Sequence, residues 1–192
     1  SFLNKKKQLS SKYLDSIYSY GELLSASILS EYLSYIGINS EMLDSRRVVK
    51  TNNNYGFAEV QLEMTYANIK EYFNNVEILQ VVTGFIGTTE KNETTTIGRN
   101  GSDYTASIFG AALNAKEIEI WTDVSGVYSA NPNIVRNANV IPFLSYEEAM
   151  ELAHAGAKVL FPPTIIPALS RNIPIRVKNT FKPNEPGTFI SI

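Results

Sequence analysis

The chain has 192 residues, 17 Lys and Arg against 19 Asp and Glu, a formal net charge of −2 and 44% hydrophobic residues, the make-up of a soluble globular chain or one domain of a larger protein. Such a balance gives no electrostatic case for nucleic acid or an anionic membrane as partner. With no cysteine, disulfides, thiolate metal sites and a cysteine nucleophile are excluded, and no apolar run has the length of a membrane span.

Residues Leu14 to Ile36 place Ile17, Leu23, Leu24, Ile28, Leu29, Tyr32, Leu33 and Ile36 at helical spacing before the stop signal Gly37, predicting a helix with one buried apolar face. A short strand is expected at Ile38 to Leu43, then the turn-rich Thr51 to Gly56 and a polar helix from Val60 to Phe73. Val76 to Thr83 reads as a central strand, because its second half carries β-branched residues on both faces, as cover by helices on each side requires.

Thr83 to Ala106 follows as a loop with Gly84, Gly87, Gly98, Gly101 and a row of threonines. Ser102 and Asp103 are N-cap residue types for a helix to Asn114. A strand at Glu117 to Trp121 runs into the loop Thr122 to Asn133. Ser145 and Glu148 form the Ser-x-x-Glu capping box of a helix to Ala155, and a short helix starts near Pro163. Strands at Ile173 to Lys178 and Gly187 to Ser191 close the chain. The alternation predicts a largely parallel sheet between helices.

The chemistry sits on loops. Arg99, between Gly98 and Gly101, offers a planar fork able to grip a carboxylate or phosphate, and a helix start beside it attracts anions; a glycine- and threonine-rich surface loop with a routine cap is the plain alternative. Neither G-x-x-x-x-G-K-[ST] nor G-x-G-x-x-G occurs. His154 is the only histidine, so a histidine metal site or a Ser/His/Asp triad lacks parts, and it is expected on a helix surface. Asp123, just past a strand, suits a ribose hydroxyl or a metal-bound phosphate, or caps a turn. Lys158 suits a phosphate, or solvent. Glu22 is an interface carboxylate or a ligand for an amino group.

Taken together, GRNGSDYTA (Gly98 to Ala106), WTDVSGVYSANPNIV (Trp121 to Val135), LSYEEAMELAHAGAKVLFPPTIIPA (Leu144 to Ala168) and IRVKNTFKPNEPGTFIS (Ile175 to Ser191) resemble aspartate kinase. The likeness extends to TGFIG (Thr83 to Gly87), SYGELLSA (Ser19 to Ala26) and Asp44 to Arg46, and so covers nearly the whole chain; its nearest form is the kinase domain of bifunctional aspartokinase/homoserine dehydrogenases.

The resemblance implies the amino-acid-kinase fold, a three-layer αβα sandwich with a mostly parallel sheet, and transfer of the γ-phosphoryl of Mg-ATP to the β-carboxylate of L-aspartate. It makes Arg99 and Asp103 the candidate catalytic residues, puts Glu22, Arg99 and Ser102 on aspartate, and puts Thr122, Asp123, Tyr128 and Lys158 on ATP with Mg2+. It also implies a cytoplasmic, homo-oligomeric parent protein.

Three departures from the family stand out. The opening lysine-phenylalanine-glycine-glycine strand has no counterpart, the family's Asp-Pro-Arg is Asn131-Pro132-Asn133, and its His-Pro-Arg is Phe161-Pro162-Pro163. The first, with Ser1 in place of Met, leads to the expectation of a partial, N-terminally truncated catalytic domain over 1–192, without ACT or dehydrogenase domains and inactive alone; the other two belong to the sequence itself and bear on its nucleotide contacts. A glutamate 5-kinase-like enzyme and a catalytically silent binding module on the same scaffold are the rival expectations.

Overall fold

The structure is a computed structural model that describes residues 9–155 and 161–192. Two compact units divide the chain, Ser1–Gly101 and Ser102–Ile192. Lys158 lies outside the described residues. Among those residues, no helix is long and apolar enough to cross a membrane.

The first unit opens with helix α1 (Ser11–Tyr35), whose buried positions are Asp15, Ser19, Ala26 and Ser30. With the half-buried Glu22 these recur every three or four residues, which is one face of a helix. The predicted apolar face is therefore corrected in phase: Ile17, Leu24, Ile28, Leu29, Tyr32 and Ile36 are exposed. Small and polar side chains are packed instead because the helix lies against strand ends and turns that present backbone donors. The Asp15 carboxylate accepts from the N–H of Gly56 (2.9 Å) and Thr96 (3.0 Å) and from the Thr96 hydroxyl (2.8 Å).

Strand β1 (Ser40–Leu43) pairs in parallel with β2 (Leu79–Val82), with Ser40 opposite Leu79. The doubly covered central strand predicted from Val76 to Thr83 is corrected too, since β1 is the only neighbour of β2 among the described residues and Leu79 is half exposed. Between these strands lie a 3-10 turn (Ser45–Arg47), capped by the Asp44 side chain, and helix α2 (Leu62–Phe73). The stretch read as an open loop closes into an antiparallel hairpin of β3 (Ile86–Thr88) and β4 (Thr94–Thr96). Its threonines are mostly interior, Thr51 and Thr95 sharing a hydroxyl bond of 2.7 Å. Hydroxyls thus make up much of this unit's interior: Ser45, Thr51, Thr65, Thr83, Thr88, Thr95 and Thr96 are buried beside Leu43, Val49, Ile69 and Ile86.

The second unit carries α3 (Gly101–Leu113), β5 (Ile118–Thr122), β6 (Phe143–Ser145), α4 (Tyr146–His154), α5 (Pro162–Leu169), β7 (Ile175–Asn179) and β8 (Thr188–Ser191). Ser102 and Asp103 fall inside the first turn of α3, where N-cap positions were expected. The sheet runs β5-β7-β8-β6, with β5 parallel to β7, β6 parallel to β8, and β7 antiparallel to β8. Alternation turns Ile118 and Ile120 of β5 and Ile175 and Val177 of β7 inward, onto Tyr146, Ile165 and Ile190 in an apolar core. The capping box is present in both halves: the Glu148 N–H donates to the Ser145 hydroxyl at 3.1 Å, and the Ser145 N–H to the Glu148 carboxylate at 2.8 Å. His154 is exposed, as expected. The architecture is α/β with mixed sheets, in which parallel pairs β1–β2, β5–β7 and β6–β8 stand beside antiparallel pairs β3–β4 and β7–β8.

Candidate functional site

Within the first unit, Arg99 lies on a pocket of about 550 Å³ lined also by Asp15, Tyr18, Tyr55, Phe57 and Phe85. Gly98 sets up the turn into Arg99 with φ +81, a conformation that a side chain strains, and a Cβ there would come within 2.8 Å of the Phe57 ring. Gly101 is small for another reason. A Cβ on it would meet the Phe85 ring at 2.8 Å. Phe85 itself has φ 68, the left-handed region that a bulky residue rarely enters, and it faces the pocket.

Arg99 is exposed, and among the described residues its guanidinium has no carboxylate partner. Glu22 lies one helical turn beyond Tyr18 on α1 and does not line the pocket. Partial burial pushes its carboxyl up from the usual range, and its carboxylate has no bonded partner among the described residues. At the pocket's edge, Glu93 accepts from the Lys12 ammonium (2.5 Å) and the Tyr55 hydroxyl (2.5 Å); these bonds, Lys12 first, hold the Glu93 carboxyl below its usual range and fix Tyr55.

In the second unit Thr122 ends β5 and Asp123 follows it, at the carboxyl end of a strand paired in parallel with β7, the end at which open α/β sheets bind ligands. The Thr122 carbonyl accepts from the Thr180 N–H at 2.8 Å, and its hydroxyl donates to Asp123 at 3.2 Å. Asp123 is exposed, and Tyr128, half-buried, is bridged to Val140. At the end of β7, Asn179 donates to the Ser125 hydroxyl at 3.1 Å and to the Asp123 carbonyl at 3.5 Å. Hydrogen bonds from Ser125 and then Lys182 hold the Glu185 carboxyl below its usual range. In α3, Ser102 is exposed and Asp103 half-buried in the first turn.

Sequence reasoning missed Asp15, Phe85, Ser125 and Asn179. The one available signal was for Asp15, an acid seven residues before Glu22 and hence on its face of the helix. No group of three or more His, Cys, Asp or Glu is placed to hold a metal ion among the described residues.

Residues 2–179 match the family model described as the amino acid kinase family. The chain belongs to that family. Among amino acid kinase relatives, Arabidopsis thaliana aspartokinase 3, chloroplastic, is 39% identical over 96% of this chain and 34% of that protein. The bifunctional aspartokinase/homoserine dehydrogenase 2, chloroplastic, of the same plant is 40% identical over 94% of this chain and 20% of that protein. Escherichia coli aspartokinase III, solved in complex with aspartate and ADP, matches with a TM-score of 0.91 at 37% identity, over 95% of this chain and 41% of that one. The chain thus spans between about a fifth and two fifths of the length of these three proteins.

Proposed function

We propose that this chain is substrate-binding machinery of an aspartokinase, and that the protein it belongs to transfers the γ-phosphoryl of Mg-ATP to the β-carboxylate of L-aspartate. One observation carries the reading. The first unit presents an open guanidinium fork, Arg99, and a partly desolvated carboxylate, Glu22, that has no bonded partner among the described residues, in a chain 37–40% identical to aspartokinases. A fork suits a carboxylate, and a carboxylate deprived of water gains from an ammonium. In this reading Arg99 and Ser102 hold the aspartate carboxylates and Glu22 its amino group. Thr122, Asp123 and Tyr128, with Lys158, hold the nucleotide. Asp103, in the first turn of α3 after Arg99, supports the reacting end.

A β-carboxylate oxygen attacks the γ-phosphorus as the bond to the bridging oxygen of ADP breaks, giving 4-phospho-L-aspartate and ADP. Little covalent work falls to the protein, so positioning and neutralisation of charge supply the rate. The test is steady-state kinetics on the full-length parent. Arg99→Lys keeps the charge but loses the bidentate geometry, so it is expected to raise KM for aspartate by roughly one to two decades, the equivalent of one charge-assisted bond, with much less effect on KM for ATP. Equal damage to both substrates removes Arg99 from the aspartate site.

A further inference from the structure

A second concavity of the first unit, of about 310 Å³, is lined by Arg46, Arg47, Lys50, Thr88, Asn92 and Thr94. It shares no lining residue with the Arg99 pocket. Arg46 is locked in place: its guanidinium donates to both oxygens of Asp44 (3.0, 3.1 and 2.6 Å) and to the Thr94 hydroxyl at 3.1 Å. Asp44 therefore neutralises one of the three cations. Arg47 lies over the Tyr72 ring at 5.2 Å and has no carboxylate partner among the described residues. Lys50 is pinned through its backbone, its N–H donating to Thr65 at 3.0 Å, its carbonyl accepting from Gln61 at 2.8 Å, and a parallel bridge running to Thr88. Its ammonium has no bonded partner among the described residues.

No carboxylate lines this pocket. Glu93, which lies in sequence between the lining residues Asn92 and Thr94, is tied instead to Lys12 and Tyr55. Two positive charges without counter-charge, on a rigid turn and a bridged backbone, beside an amide and hydroxyls in a concave space, form a receptor for an oxyanion. Like charges so held repel each other, and a doubly charged ligand relieves that repulsion. The volume exceeds that of a bare ion, since one water occupies about 30 Å³. The geometry points to a binding site for a small phosphate or phosphate monoester in this pocket, held by Arg47 and Lys50 and separate from the residues assigned to aspartate and ATP.

The probe is inorganic phosphate, titrated into the full 192-residue chain by calorimetry and by amide chemical shifts, against sodium chloride at matched ionic strength. Saturable binding is expected, with shifts at Lys50, Thr88 and Asn92. Arg47→Gln with Lys50→Gln is expected to abolish it, and either single change to weaken it roughly tenfold. Arg99→Gln is expected to leave it intact. Circular dichroism establishes that the variants fold, and the single variants decide the matter if the double variant does not. Phosphate binding no stronger than chloride screening overturns the proposal, as does binding undiminished in the folded Arg47 and Lys50 variants or lost in Arg99→Gln.

Discussion

Asp15 is the buried carboxylate on which the first pocket's walls depend, and its removal can be worked through bond by bond. It is 1% exposed. One oxygen takes the N–H of both Gly56 and Thr96, and the other takes the Thr96 hydroxyl. In Asp15→Ala two backbone donors lose their acceptor inside the protein, and each such loss costs about 1–3 kcal/mol. The hydroxyl can turn elsewhere, so the expected destabilisation is about 3–5 kcal/mol with a small cavity term included. Asp15→Asn retains one oxygen for the two N–H groups and turns an amide towards a hydroxyl that can accept. It forfeits only the charge on those bonds, about 1–2 kcal/mol. Urea unfolding followed by circular dichroism measures both, read as shifts in midpoint at constant slope. An alanine variant within about 1 kcal/mol of the parent, or asparagine as damaging as alanine, refutes this account of the helix–hairpin junction.

Glu22 gives a pH dependence with a definite sign. Its folded carboxyl is raised by desolvation above its unfolded value, so the folded state binds more protons in between, and stability falls as pH rises through that interval. Glu22→Gln is therefore expected to gain on the parent in urea midpoint as pH rises from the ordinary glutamate range through the raised folded value, and a flat difference contradicts the assignment. Aspartate, supplying an ammonium, is expected to bind the parent more tightly over the same rise, a trend calorimetry would find missing in Glu22→Gln. Asp123→Ala is expected to weaken ADP binding by about tenfold or more in calorimetry while circular dichroism stays unchanged, since the side chain is exposed. Ser145→Ala removes one half of the capping box and is expected to cost about 1 kcal/mol in urea unfolding.

Most of the second unit, apart from the short strand β6 and the exact start of α3, was legible because its signals had one meaning. Alternating isoleucines and valines mark β5 and β7, and Ser145 with Glu148 marks the start of α4 within a residue. The first unit was less so. The period of α1 is written in its apolar residues, but its buried face is the one carrying Asp15, Ser19 and Ser30, and the Gly56 and Thr96 donors that hold Asp15 are not revealed by any hydropathy pattern. The hairpin was hidden because three-residue strands of threonine beside glycines look like a loop. At the site, Arg99 and Glu22 stood out by charge and setting. Phe85 did not, because its left-handed backbone is imposed by neighbours such as Ile97, whose N–H it receives at 3.0 Å, and leaves no mark in residue type.

The contrast between the two interiors bears on how the units respond to temperature. Exposing apolar surface raises the heat capacity of unfolding, whereas exposing polar surface lowers it. The second unit, closed around Ile118, Ile120, Ile175, Val177 and Ile190, has the steeper curvature of stability with temperature and is the more exposed to loss of stability in the cold. The first, with Ser45, Thr51, Thr65, Thr83, Thr95 and Thr96 in its interior, has the flatter curve. Cooling is thus expected to weaken the half that carries Asp123 and Tyr128 before the half that carries Arg99 and Glu22, which gives the two halves different thermal limits.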